Sequence, residues 1–67
     1  MEQYIISHLT YPQFKKVKEQ LGKERIEFTT LLNTVIFSPD NTVQLDAVKQ
    51  FCQELDETIR IRIKKEL

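Results

Sequence analysis

The chain has 67 residues, and a chain this short buries only about 60% of the surface that its unfolded form exposes. So small a fold rarely encloses the volume of an enzyme pocket, so a self-contained active site is not expected. Ten Lys and Arg side chains balance ten Asp and Glu side chains, which excludes a basic field over the whole molecule and does not favour nucleic acid as a partner. The single cysteine, Cys52, cannot form an internal disulfide and indicates a reducing compartment.

The first ten residues are ambiguous in structure. They lack the basic start and long apolar run of a signal peptide, and no later stretch reaches membrane-spanning length, so we expect a cytoplasmic protein with no membrane partner. Tyr4, Ile5, Ile6 and Leu9 fit either a helical turn or a short strand. His8 has no second ligand at metal spacing, so an ordinary surface or partly buried histidine is expected.

Helix signals begin after this segment. Pro12 suits the first turn of a helix over residues 11–21, and Gly22 suits a left-handed cap at its end. A second helix is predicted over residues 23–37. Its apolar stripe has the i, i+3, i+4, i+7, i+8 spacing of one helix face and consists of Phe28, Leu31, Leu32, Val35 and Ile36. One long helix kinked at Gly22 is the alternative, but it would bury the Glu24 carboxylate in the stripe.

Residues 38–42 form a predicted loop rich in turn and capping residues, and residues 43–66 form the longest predicted helix. Its stripe runs through Leu45, Cys52 and Ile59. The segment from Ile59 to Lys64 alternates as a strand would. Helix is favoured because the stripe continues and a strand has no obvious partner. The sequence therefore predicts one all-α domain over residues 1–67, an antiparallel helical hairpin with an additional N-terminal helix, forming a small helical bundle.

The long predicted helix carries a polar flank beside its apolar stripe. On a helical wheel, Lys49, Gln53, Asp56 and Arg60 share this flank at i, i+4, i+7 and i+11, whereas Glu54 points to the other side. A row of this kind is often only a solvated face with favourable helix pairs, such as Asp56 with Arg60.

The string from Cys52 to Asp56 resembles the Ser-Gln-Glu-Leu-Asp motif of the small sporulation-control aspartyl-phosphate phosphatases of spore-forming bacteria. The likeness covers residues 38–59; Gln53, Glu54 and Leu55 match along with Asp56, and Cys52 replaces the serine. The resemblance implies a helical hairpin that dephosphorylates the receiver domain of a response regulator and so acts as a negative regulator of sporulation.

A mechanism follows from this resemblance. The receiver domain would supply the metal ion, so the chain needs no metal or cofactor of its own, and it would only position a water in line with the phosphorus. Gln53 would hold this water, and Asp56 would accept its proton or hydrogen-bond to a group on the receiver. Partner-binding roles fall to the neighbouring side chains, namely Lys49, Glu54, Leu55 and Arg60.

Two other classes of function remain open. A non-catalytic regulator could occlude a target protein with the same helix, and turnover distinguishes it from a phosphatase. A nucleic-acid-binding protein would use the basic C-terminal side chains, which are Arg60, Arg62, Lys64 and Lys65. A homodimer is favoured over a monomer because Ile61 projects from the face opposite the core.

Overall fold

The computed structural model describes residues 2–64 and contains two helices and four strands. In chain order they are β1 (Tyr4–Ile6), α1 (Tyr11–Lys23), β2 (Glu27–Leu31), β3 (Thr34–Ser38), α2 (Thr42–Leu55) and β4 (Ile61–Ile63). The strands form one antiparallel sheet in the order β2-β3-β1-β4. The all-α prediction is therefore wrong, and the helical hairpin with it. This βαββαβ order is the split-βαβ topology of ferredoxin-like folds.

Helix α1 begins where the sequence predicts and extends beyond the predicted end. A capping box fixes its start, since the Thr10 side chain accepts from the backbone of Gln13 while the Gln13 side chain accepts from the backbone N–H of Thr10. Gly22 is helical rather than a left-handed cap. Arg25 takes the left-handed conformation instead, with φ of 56°, and its N–H donates to the carbonyl of Gly22 at 3.2 Å.

The predicted helix over residues 23–37 is wrong, because this segment forms the β2–β3 hairpin. Its β-branched residues favour strands. Val35 and Phe37 are buried and alternate with less buried neighbours, as one face of a strand requires. The apolar stripe that suggested a helix is not buried as one face, since Val35 is buried whereas Leu31 and Leu32 are exposed.

The predicted helix over residues 43–66 is too long. Asn41 caps α2 by accepting from the backbone of Gln44, and the helix ends at Leu55. The alternating pattern from Ile59 onward does correspond to a strand, β4. This strand pairs with β1, and Ile61 lies opposite Ile6. Residues 65–66 of the predicted helix, and Lys65 in the basic segment, lie outside the described residues.

Both helices cover one face of the sheet, and the apolar core lies between these two layers. It is made by α1 (Phe14, Val17, Leu21), α2 (Leu45, Val48, Cys52), the strands (Ile6, Val35, Phe37) and two flanking residues, Leu9 and Ile26. Side chains alternate between the faces of a sheet. Because Ile6 and Val35 face the helices, their neighbours Ile5 and Ile36 lie on the other face, which we call the open face.

Neither helix among residues 2–64 has the length and apolar character needed to cross a bilayer.

Candidate functional site

A polar cavity of about 270 Å³ lies at the end of the sheet where the chain leaves β1 and enters β4. Two loops form it: the loop from β1 to α1 and the loop from α2 to β4. The lining residues are Ser7, His8, Thr10, Gln13, Asp56, Thr58, Ile59, Arg60 and Arg62. Loops fixed by rigid elements are a frequent place for binding residues, so this cavity is the candidate site.

Asp56 is held firmly in the cavity wall. Its backbone is extended and ends α2, and its Oδ1 accepts from the backbone N–H of Thr58 at 2.9 Å and from the Thr58 hydroxyl at 2.8 Å. Gln13 Nε2 donates to the other oxygen, Oδ2, at 2.8 Å. The backbone bond from Thr58, then its hydroxyl, then Gln13 lower the pKa of the Asp56 carboxyl, because each stabilises the ionised form.

Cationic and hydroxyl side chains make up much of the rest of the lining. Arg60 and Arg62 are exposed at the start of β4, and a guanidinium offers several N–H donors in a planar fork. His8 has φ of 61°, and its Nδ1 lies 3.1 Å from the hydroxyl oxygen of Ser7. These groups can all donate hydrogen bonds to an anion.

The sequence-predicted site residues are divided by the end of α2. Asp56 lies in the cavity, whereas Lys49 and Gln53 line a neighbouring groove of about 300 Å³ on the side of α2. Arg60 lines both the cavity and the groove. Glu54 is exposed, and Leu55 is partly buried against the core rather than central to it. The single helical flank that joined Gln53 to Asp56 in the sequence prediction does not exist, because Asp56 follows the last helical residue.

Sequence reasoning missed the contribution of the loop from β1 to α1. Ser7, His8 and Thr10 are far from Asp56 in sequence and approach it only because β1 pairs with β4. The spacing of Asp56 and Thr58 was a usable local signal, since an Asp side chain often accepts from the backbone two residues later.

The comparisons with known proteins found nothing: no family model, no curated protein and no solved structure matches this chain. A split-βαβ topology occurs with many unrelated activities, so it does not assign one. The case for function therefore rests on the chemistry of the site.

One other depression in the surface brings together fewer charged side chains than this cavity does. It has a volume of about 370 Å³ and lies near β2, where Glu27 is the charged lining residue. Within residues 2–64, no group of three His, Cys, Asp or Glu side chains is placed to hold a metal ion.

Proposed function

We propose that this chain is a small regulatory binding module that recognises a phosphoryl group on a partner protein, with Arg60 and Arg62 as the main donors. The observation that carries the proposal is the lining of the cavity, which includes two guanidinium side chains, Arg60 and Arg62, together with hydroxyl side chains from both loops. Arginine binds phosphate oxygens through parallel charge-assisted hydrogen bonds, and the hydroxyls of Ser7 and Thr10 can add donors, whereas the Thr58 hydroxyl already donates to Asp56.

The carboxylate in this lining is outnumbered by the two guanidinium groups of Arg60 and Arg62, so the charged side chains of the lining sum to a positive charge. Among the residues described as lining the cavity, Asp56 is the one acid, and both of its oxygens already accept hydrogen bonds. The bond to Gln13 and the bonds to Thr58 hold the carboxylate in place as part of the wall. Asp56 is therefore a positioning residue for the loop that carries Arg60.

A protein partner fits this surface better than a nucleic acid does. Proteins that bind single strands stack bases on aromatic side chains. Here the rings of Tyr4 and Phe37 stack on each other, with centroids 5.6 Å apart, on the side of the sheet that faces the helices. The centre of the open face instead carries Ile5 and Ile36, which suit apolar contact with a protein.

Inorganic phosphate is the first probe, because it tests the cavity without requiring the partner. We expect amide NMR signals of His8, Thr58 and Arg60 to shift together as phosphate is added at constant ionic strength, with a Kd on the order of 1 mM. The double variant Arg60→Gln, Arg62→Gln should lose these shifts. Lys15→Gln, Lys16→Gln is the matched control, because it removes the same charge from exposed positions of α1.

The second stage uses protein and nucleic-acid partners. Receiver domains in phosphorylated and unphosphorylated forms, and a single-stranded oligonucleotide, should be titrated against the wild type and the two double variants. Preference for a phosphorylated protein that depends on Arg60 and Arg62 supports the proposal. Shifts spread equally over Lys15 and Lys16, or tighter binding of the oligonucleotide, would overturn it.

A receiver phosphatase is the second candidate, and the shared position of Arg60 favours it. Arg60 borders both the cavity and the groove that contains Gln53, so a phosphoryl group bound by Arg60 would lie on the side of the molecule that Gln53 occupies. In this proposal Gln53 positions a water, and the receiver supplies the metal ion. Each molecule of this chain would then release phosphate from many molecules of phosphorylated receiver. Such release, measured with the receiver in excess over the chain, would favour the phosphatase over simple binding.

A further inference from the structure

The two edges of the sheet differ in how they are protected. β4 is short, and the cations Arg60, Arg62 and Lys64 lie in it or beside it. β2 has five residues, all exposed, and its one charge is Glu27 at the beginning. Natural edge strands usually carry Lys, Pro or a bulge that prevents pairing with another strand. β2 has neither Lys nor Pro, so its outer row of backbone groups can accept a further strand.

Apolar side chains are concentrated along this same edge. Phe28, Leu31 and Leu32 are 37%, 68% and 88% exposed, and they follow one another along β2 and its turn. Leu32 also has φ of 55°, a conformation that favours glycine over a residue with a branched side chain. The two-residue turn between β2 and β3 accounts for this positive φ within one copy, but the exposure of three large apolar side chains at one edge of the sheet is poorly explained by the folding of one copy alone.

We propose that β2 pairs antiparallel with β2 of a second copy of this chain, so that the two four-stranded sheets join into one. An isologous contact of this kind closes on itself and gives a dimer rather than a fibre. This interface is separate from the phosphoryl site, because β2 and β4 are at opposite ends of the sheet order.

The length of β2 selects the register, because pairing centred on Thr29 brings all five residues of the strand opposite residues of the other copy. Pairing centred on Thr29 places Glu27 opposite Leu31 of the partner subunit, so the two Glu27 carboxylates lie at opposite ends of the interface. It also places Phe28 opposite Thr30 of the partner subunit, an aromatic and β-branched pair that stabilises neighbouring strands. Thr29 then lies directly opposite its own copy on the axis.

Sedimentation equilibrium tests the dimer. We expect the wild type to have twice the 8.0 kDa mass of one chain, and Thr29→Lys to have half the wild-type mass because it brings two ammonium groups together on the axis. Val43→Lys is the control, since Val43 is 77% exposed on α2 and its replacement should leave the mass unchanged. Circular dichroism should show both variants folded. A wild type of 8.0 kDa at millimolar concentration would overturn the proposal.

Cross-linking tests the register. Directly opposed residues in antiparallel strands have Cα atoms about 4.5–5.5 Å apart, within the range of a disulfide. Thr29→Cys should therefore form a disulfide-linked dimer under mild oxidation. Val43→Cys and the wild type, with its buried Cys52, should form no disulfide between chains. Linking of Val43→Cys but not of Thr29→Cys would contradict this interface. Arg60→Gln, Arg62→Gln should remain dimeric, so failure of phosphate binding and failure of dimerisation are distinguishable.

Discussion

Gln13 Nε2 donates to Asp56 Oδ2 at 2.8 Å, and this bond joins the first turn of α1 to the residue that ends α2. The same Gln13 side chain accepts from the backbone of Thr10 through Oε1 at 3.0 Å. One amide therefore caps a helix and supports a wall of the candidate site. The local geometry of the cavity depends on this connection, and Asp56 is the group whose ionisation reports on it.

Replacing Asp56 with Asn should lower the free energy of unfolding at neutral pH. Hydrogen bonds from Thr58, and then from Gln13, lower the pKa of the folded carboxyl below its ordinary value of 3.8. A lowered folded pKa means that this contribution is present above the unfolded pKa and is lost as the pH falls through the folded pKa. Urea unfolding should therefore separate the two proteins at neutral pH, and their difference should shrink in acid. An equal difference at both pH values would contradict this role.

Core and rim positions should respond differently to truncation. Phe37 has no exposed surface and stacks on Tyr4, so Phe37→Ala should cost about 3–5 kcal/mol, comparable with the total of about 5 kcal/mol for a small domain. Leu55 is only partly buried, and Leu55→Ala should cost about 1–2 kcal/mol. Thermal unfolding should show a residual transition for Leu55→Ala and none for Phe37→Ala. The reverse order would mean that the core is misassigned.

Several signals confined to a few neighbouring residues predicted the structure, although Gly22 did not form the predicted left-handed cap. Pro12 predicted the start of α1, and the residues around Asn41 predicted the loop before α2. Burial of Cys52 on the apolar stripe is confirmed. These features depend on local hydrogen bonds and on helical periodicity, so they can be recognised without knowledge of the tertiary structure.

The strands could not be assigned in the same way, because their evidence lies in distant partners. The sequence shows the alternation at β4, but it does not show the pairing, because the partner strand β1 is almost the whole chain away. In the β2–β3 hairpin, Leu31 and Leu32 reproduced a helical spacing although they are exposed. The cavity could not be predicted for the same reason, since His8 and Asp56 come to line one cavity only because β1 and β4 pair.

Leu32→Gly should raise the stability of the monomeric fold. Glycine removes the steric cost of positive φ, about 1–2 kcal/mol, and adds a backbone entropy cost of about 0.5–1 kcal/mol, so a net gain of up to about 1.5 kcal/mol is expected. Little packing is lost because Leu32 is 88% exposed. Urea unfolding in the Thr29→Lys background isolates this effect from dimerisation. A loss of stability there would show that Leu32 makes contacts that its exposure does not reveal.

Cys52 should be unreactive in the folded protein. Burial raises the pKa of its thiol to about 11, which leaves little thiolate at neutral pH and also blocks access of reagents. A thiol reagent should therefore label the native chain slowly, at a rate that rises with urea, and should label Val43→Cys rapidly at its exposed site. Fast labelling of native Cys52 would indicate that α2 detaches readily from the sheet.

Gln53→Ala should separate binding from turnover. Gln53 is exposed on α2 and lines the groove rather than the cavity, so its loss should change the affinity for a phosphorylated receiver by less than about twofold, whereas loss of Arg60 and Arg62 should weaken binding by about tenfold or more. Glu54→Ala is the matched control, because Glu54 is also exposed and lines neither feature. If the chain only binds, the rate of phosphate release from the receiver should be the same with the wild type, Gln53→Ala, Glu54→Ala and the double variant Arg60→Gln, Arg62→Gln. Release that is accelerated by the wild type and slowed by Gln53→Ala at unchanged affinity would instead identify a contact made in the transition state, and so a phosphatase.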